Sequence, residues 1–117
     1  MPATTATAVD LAHLARYTGG ARDLNAEVLR LFADQSAKLL KELRAAVDAN
    51  DEARWRHITH SLKGAAQGIG AFALAEAATV AERLDPAFEA QRTSAALATL
   101  KERTEAVQAF IRAYLEF

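Results

Sequence analysis

Leu97, Leu100, Thr104, Val107, Ile111 and Tyr114 follow one another at alternating steps of three and four residues. That spacing puts all six on one side of an α-helix, whereas a strand would scatter them over both of its faces. A second long stretch, residues 23–49, repeats the pattern with Val28, Phe32, Gln35, Leu39, Leu43 and Val47. It also carries a second stripe of Leu29, Ala33, Ser36 and Leu40, as expected of a helix with neighbours on two sides. Proline, the strongest helix breaker, occurs only at Pro2 and Pro86. The composition in between, rich in alanine, leucine, glutamate and arginine, favours helix nearly everywhere.

The interruptions divide the chain into five helices. Gly19 and Gly20 end a short first helix, roughly 9–17. After the helix at 23–49, Asn50 is placed to cap a third that starts at Asp51 and ends among Gly68, Ile69 and Gly70. A fourth spans 71–84 and is closed by Asp85-Pro86, and the last covers about 93–115. Met1 to Val9, with its proline, threonine and alanine, reads as a frayed lead-in, flexible over residues 1–8. Short connections between amphipathic helices favour antiparallel neighbours. The expected fold is all-α: an antiparallel up-down-up-down four-helix bundle with a short additional N-terminal helix, one domain over residues 1–117.

Charge and composition exclude several function classes. Fourteen basic residues against fifteen acidic ones give a net charge of -1, without the basic excess that phosphate neutralisation demands of a nucleic-acid binder. There is no cysteine for a disulfide, a thiolate metal site or a thiol nucleophile. No run approaches the roughly 20 apolar residues of a membrane span, and residues 1–9 lack the basic start and apolar run of a signal peptide. A cytoplasmic, monomeric protein with no membrane association is expected.

The third helix carries the unusual chemistry. At about 100° per residue, Trp55, Ile58, Leu62, Ala65, Ala66 and Ile69 form its core stripe. His60 falls nearly opposite, with Ala53, Arg56, His57, Lys63, Gly64 and Gln67 around it. Gly64, one turn after His60, costs about 1 kcal/mol relative to alanine in mid-helix. A local rule broken without structural gain marks a functional surface, and glycine here leaves room above the imidazole. Imidazole is largely neutral near pH 7, so a ring nitrogen is available as a nucleophile. Lys63 can reach a phosphoryl group on that ring and offset its charge, and the Gln67 amide can contact a phosphate oxygen.

The string His60-Ser61-Leu62-Lys63-Gly64, with Gly70 ten residues after the histidine, resembles the signature of histidine-phosphotransfer domains. Val9-Asp10-Leu11, Thr18-Gly19-Gly20, Glu27 to Phe32 and Leu74 to Leu84 resemble other parts of that family, so the likeness covers most of the chain. The resemblance implies a phosphorelay intermediate in which His60 is the phosphoacceptor, Lys63 the supporting cation, Gly64 the clearance residue and Gly70 the turn residue. It implies response-regulator receiver domains, a hybrid histidine kinase, or both, as partners, with Mg²⁺ supplied by the receiver and no cofactor of the chain's own. Where many members carry serine or another small hydroxyl residue, this chain has Ala65 and Ala66, on the core side.

Docking is expected on the exposed parts of the third helix (Arg56, His57, Gly64 and Gln67) and on residues 36–41 of the second, Leu40 included, which antiparallel pairing brings level with His60. His57 and His60 alone supply too few ligands for zinc, so no metal site is expected. Gly68 and Gly70 read as helix-termination residues. No GxxxxGK[ST] loop or kinase signature is present, so the chain should be a phosphocarrier without autonomous ATP-dependent kinase activity. A pure interaction module, which binds a receiver or kinase without carrying phosphate, is the competing reading. Loss of the histidine or lysine would favour it, and both are present.

Overall fold

A computed structural model describes residues 8–116. The expected flexibility of residues 1–8 lies almost wholly outside that range. Five helices follow in order: α1 (Leu11–Thr18), α2 (Arg22–Asp48), α3 (Glu52–Ile69), α4 (Phe72–Glu82) and α5 (Ala90–Leu115). There is no strand among the described residues. α3 packs on α2 and α4, and α5 closes the ring by packing on α2 and α4. α1 lies against α2 and α3. The all-helical bundle with a short extra helix at its start is the expected one.

Trp55 anchors the seam between α3 and α4. Its side chain is 0% exposed, and its indole N–H donates to the Ala81 carbonyl at 2.8 Å, so the one polar atom of a large apolar group is satisfied. Opposite it, α4 presents Leu74, Ala75, Ala78 and Ala81, all buried. Small side chains let the two backbones approach, and that approach brings the next residue of α4, Glu82, to α3.

The turn between α3 and α4 is set by Gly70, whose φ of 80° lies in the left-handed region. Its carbonyl accepts from the Asp10 N–H at 3.0 Å. Asp10 in turn caps α1 by accepting from the His13 N–H at 3.1 Å. The lead-in is therefore not frayed as far as Val9. That residue is 3% exposed and belongs to the core, because hydrogen bonding at Asp10 pins the segment beside the turn.

Three further expectations are corrected. Asn50 does not cap α3. Its φ of 52° makes it a left-handed stop after α2, and the Asp51 side chain caps α3 instead, accepting from the Arg54 N–H at 3.1 Å. Gly68 does not terminate α3 but lies within it, and only Gly70 has the terminating geometry. On α2, the buried set is Asn25, Leu29, Phe32, Ser36, Leu43 and Ala46, while Gln35 is exposed. Contact with both α3 and α5 centres the buried face between the two apolar stripes. Polar Asn25 and Ser36 sit on that face with partners of their own: the Asn25 amide donates to Tyr114 Oη at 3.2 Å, and Ser36 donates to the Ala33 carbonyl at 3.2 Å. The stripe on α5 is as expected, buried from Thr93 through Ile111 with Tyr114 at its margin, although the helix begins earlier, at Ala90.

Candidate functional site

His60 lies in the middle of α3, with buried Thr59 and Leu62 on either side of it in sequence holding the helix to the core. Thr59 also donates its hydroxyl to the Trp55 carbonyl at 2.9 Å, so its polar atom is satisfied inside the bundle. The His60 side chain is 67% exposed. It does not stand alone: Nδ1 lies 3.3 Å from Glu82 Oε2. The other oxygen of the same carboxylate, Oε1, lies 3.1 Å from Lys63 Nζ. One carboxylate on α4 thus bridges the two residues of α3 that the sequence singled out.

The electrostatics follow from this arrangement. The hydrogen bond from Lys63 is the main influence that holds the Glu82 carboxyl below the usual carboxylate range; burial opposes it, and the nearby Lys63 and His60 charges add to it. An ionised carboxylate can only accept hydrogen bonds. A neutral imidazole facing it is therefore held with its proton on Nδ1. Nε2 is left with the free lone pair, as a nucleophile requires.

Sequence reasoning missed Glu82. A signal was available: the Gly70–Ala71 turn lies roughly midway between residues 60 and 82, so antiparallel pairing across that turn sets them opposite each other. Lys63 is not a free surface cation. Its side chain is only 24% exposed and is ion-paired.

Gly64 borders open space. A Cβ built there would find nothing within 4 Å. With exposed Gln67 and Gly68 it floors an open cleft of about 620 Å³ between α1 and α4. His13 and Tyr17 line the cleft from α1 and Phe72 lines it from α4. The His13 ring packs edge-on against both aromatics, with centroids 5.7 Å from Tyr17 and 5.0 Å from Phe72. Tyr17 and Phe72 nevertheless remain exposed, at 68% and 46%. His57 and Arg56 are exposed on α3, where Arg56 pairs with Glu52 one turn earlier.

Of residues 36–41, three lie on the α5 side of α2: Ala37, Leu40 and Lys41. Ser36 is buried, and Leu40 and Lys41 line a groove against α5. A position level with His60 along the bundle still points elsewhere when its helix is turned toward another neighbour. Among the described residues no group of three or more His, Cys, Asp or Glu is arranged to hold a metal ion.

The geometry therefore presents an exposed imidazole whose Nδ1 faces a carboxylate, a cation within the same cluster and open space one turn away. The family model described as Hpt domain matches residues 27–110, which include all of these except the α1 rim of the open space. The chain belongs to the Hpt domain family. Its fold is also that of histidine-containing phosphotransfer protein B (HptB) from Pseudomonas aeruginosa PAO1, with a TM-score of 0.83 and 26% identity, over 94% of this chain and 96% of that one. Comparison with curated proteins gave no match. The role of an Hpt domain is histidine phosphotransfer in phosphorelays, as a phosphocarrier rather than a kinase, working with receiver domains and kinases. Among the described residues no helix is long and apolar enough to cross a membrane.

Proposed function

We propose that His60 accepts a phosphoryl group from the phosphoaspartate of a receiver domain and later yields it to another receiver. The single observation that carries this reading is the cluster in which Glu82 faces both His60 Nδ1 and Lys63 Nζ. Nε2 attacks phosphorus in line, the new P–N bond forms, and the P–O bond to the receiver's aspartate breaks so that its carboxylate leaves. The imidazole ring gains positive charge as the P–N bond forms. Its proton remains on Nδ1, where Glu82 stabilises it. Lys63 supports the phosphoryl oxygens, and Gln67 lies on the same approach surface.

The receiver descends over Gly64 onto the cleft edged by Tyr17 and Phe72, with His57 and Arg56 flanking it. Mg²⁺ comes with the receiver, and the chain, a single monomeric domain acting in the cytoplasm, uses no cofactor and no ATP of its own. Incubation with a phosphorylated receiver should add one phosphate that is labile in acid and stable in alkali, as a phosphoramidate is. His60→Gln should abolish the label with little change in melting temperature, since an exposed position contributes little to stability. Label that persists in that variant would overturn the assignment of His60.

A further inference from the structure

The face of the bundle away from His60 carries a second groove, about 640 Å³ in volume, between α2 and α5. In the ring of helices, α3 and α4 hold the His60 cluster, and α2 and α5 form the opposite pair. The middle of the groove is apolar: Leu40 is half-buried and Leu97 is buried. Exposed Ala37 and Ala98 keep it open, because a longer side chain at either place would fill it.

Its rim is basic. Lys41, Arg44 and Lys101 line it against the single carboxylate of Glu105, in a chain whose net charge is -1. None of these three cations takes part in an ion pair among the described residues. An apolar floor whose rim carries three cations against one carboxylate is complementary to a ligand with an apolar stripe flanked by carboxylates. On α5 the lining runs from Ser94 to Gln108, which at about 1.5 Å per residue is roughly 21 Å. That length suits a helix of about four turns, and a groove between two helices offers an incoming segment no free backbone edge for strand pairing.

We infer that the α2–α5 groove binds an acidic amphipathic helix of a partner protein, while His60 on the opposite side stays open to a receiver. The inference goes beyond the phosphocarrier reading and does not depend on it. A segment held there would tether the domain and raise the effective concentration of whatever the partner also carries.

The test uses the full chain and a fluorescent synthetic peptide of about fourteen residues, matched to the groove at ~1.5 Å per residue. The peptide carries leucines at helical spacing and glutamates on both flanks, and a scrambled peptide of the same composition is the control. Anisotropy should show saturable binding that is about tenfold weaker or worse for the scramble. Reversing two rim charges, Lys41→Glu with Lys101→Glu, should weaken binding by about tenfold, the sum of a few exposed ion pairs. Filling the floor with Ala37→Gln and Ala98→Gln should weaken it at least as much with no change of charge. Both variants should keep their helicity and their rate of phosphoryl acceptance, and saturating peptide should leave that rate unchanged. Equal binding of the two peptides, or binding indifferent to the floor substitutions, would overturn the proposal. So would loss of acceptance at saturating peptide. Absence of peptide binding together with sedimentation of the protein on phosphatidylglycerol vesicles would assign the groove to a lipid surface and refute it as well.

Discussion

Lys63 Nζ stands 3.1 Å from Glu82 Oε1, so the cation expected to meet the phosphoryl group is already engaged by a carboxylate. If His60 carries phosphate as proposed, Lys63 must share or exchange that partner. The carboxylate thereby regulates two things at once: which ring nitrogen is free, and how far Lys63 can turn.

Removing each partner should separate these effects. Lys63→Ala should slow phosphoryl acceptance by about one to two orders of magnitude, the equivalent of ~1–3 kcal/mol in the transition state. Receiver affinity and melting temperature should change far less. Single-turnover transfer from a phosphorylated receiver measures the rate. A rate equal to that of the parent would reduce Lys63 to a structural partner of Glu82.

Glu82→Gln keeps an oxygen that can accept from His60 Nδ1 but removes the charge. Acceptance should slow by about tenfold, because the ring loses its counter-charge as the P–N bond forms. The phosphorylated form should live longer, since Lys63 is then free to pair with the phosphoryl oxygens. Glu82→Ala removes the acceptor too, and nitrogen NMR of His60 should show the proton no longer confined to Nδ1. An unchanged tautomer in Glu82→Ala would mean that Glu82 does not set it.

The same carboxylate predicts a pH dependence. Its pKa is lowered in the folded protein, chiefly by the Lys63 hydrogen bond. A group with a depressed folded pKa contributes stability above its ordinary value, about 4.3 for glutamate, and loses it as pH falls through the folded value. The parent should therefore exceed Glu82→Gln in stability near neutral pH, by no more than about 1 kcal/mol for a pair this close to solvent. The difference should vanish in acid below the ordinary glutamate range. Chemical denaturation of both proteins from pH 7 to pH 3 measures it, and a constant difference would show that the ion pair contributes nothing.

Legibility in the sequence followed the range of the interactions. The α5 stripe and the exposure of His60 depend on one helix and its period, and both could be read from spacing alone. The buried face of α2 depends on two neighbours at once, which is why Gln35 was misplaced and Asn25 overlooked. Glu82 meets α3 only through tertiary packing, set by the Trp55–Ala81 hydrogen bond and the small residues of α4. The place of Leu40 in the α2–α5 groove was hidden for a related reason: helical spacing says which residues share a face, not which neighbour that face is turned toward.

Two glycines of α3 and its turn, six residues apart, should respond to alanine in opposite ways. At Gly70 the φ of 80° is unfavourable for any residue with a Cβ, and that Cβ would stand 2.7 Å from the Asp10 carbonyl oxygen. Gly70→Ala should cost about 1–3 kcal/mol and loosen the Asp10–Gly70 hydrogen bond. Denaturation, with hydrogen exchange at the Asp10 amide, would show both. A neutral substitution would mean that the turn can relax in a way this packing does not suggest.

At Gly64 the helix angles are ordinary and a Cβ would meet nothing within 4 Å. Gly64→Ala should stabilise the protein by up to ~1 kcal/mol, because alanine is the better helix former and restricts the unfolded chain. Gly64→Gln should also keep the fold, since its side chain would enter open solvent above the cleft. On the proposed approach that space is the one a receiver occupies to bring its phosphoaspartate to Nε2, and a misplacement of ~1 Å in such chemistry can cost on the order of a hundredfold in rate. Stability should therefore hold while transfer falls by that factor. If Gly64→Gln unfolds the protein, the glycine serves packing and the clearance argument fails. If it transfers at the parent rate, the receiver approaches His60 from another side, and the aromatic-edged cleft is not its landing surface.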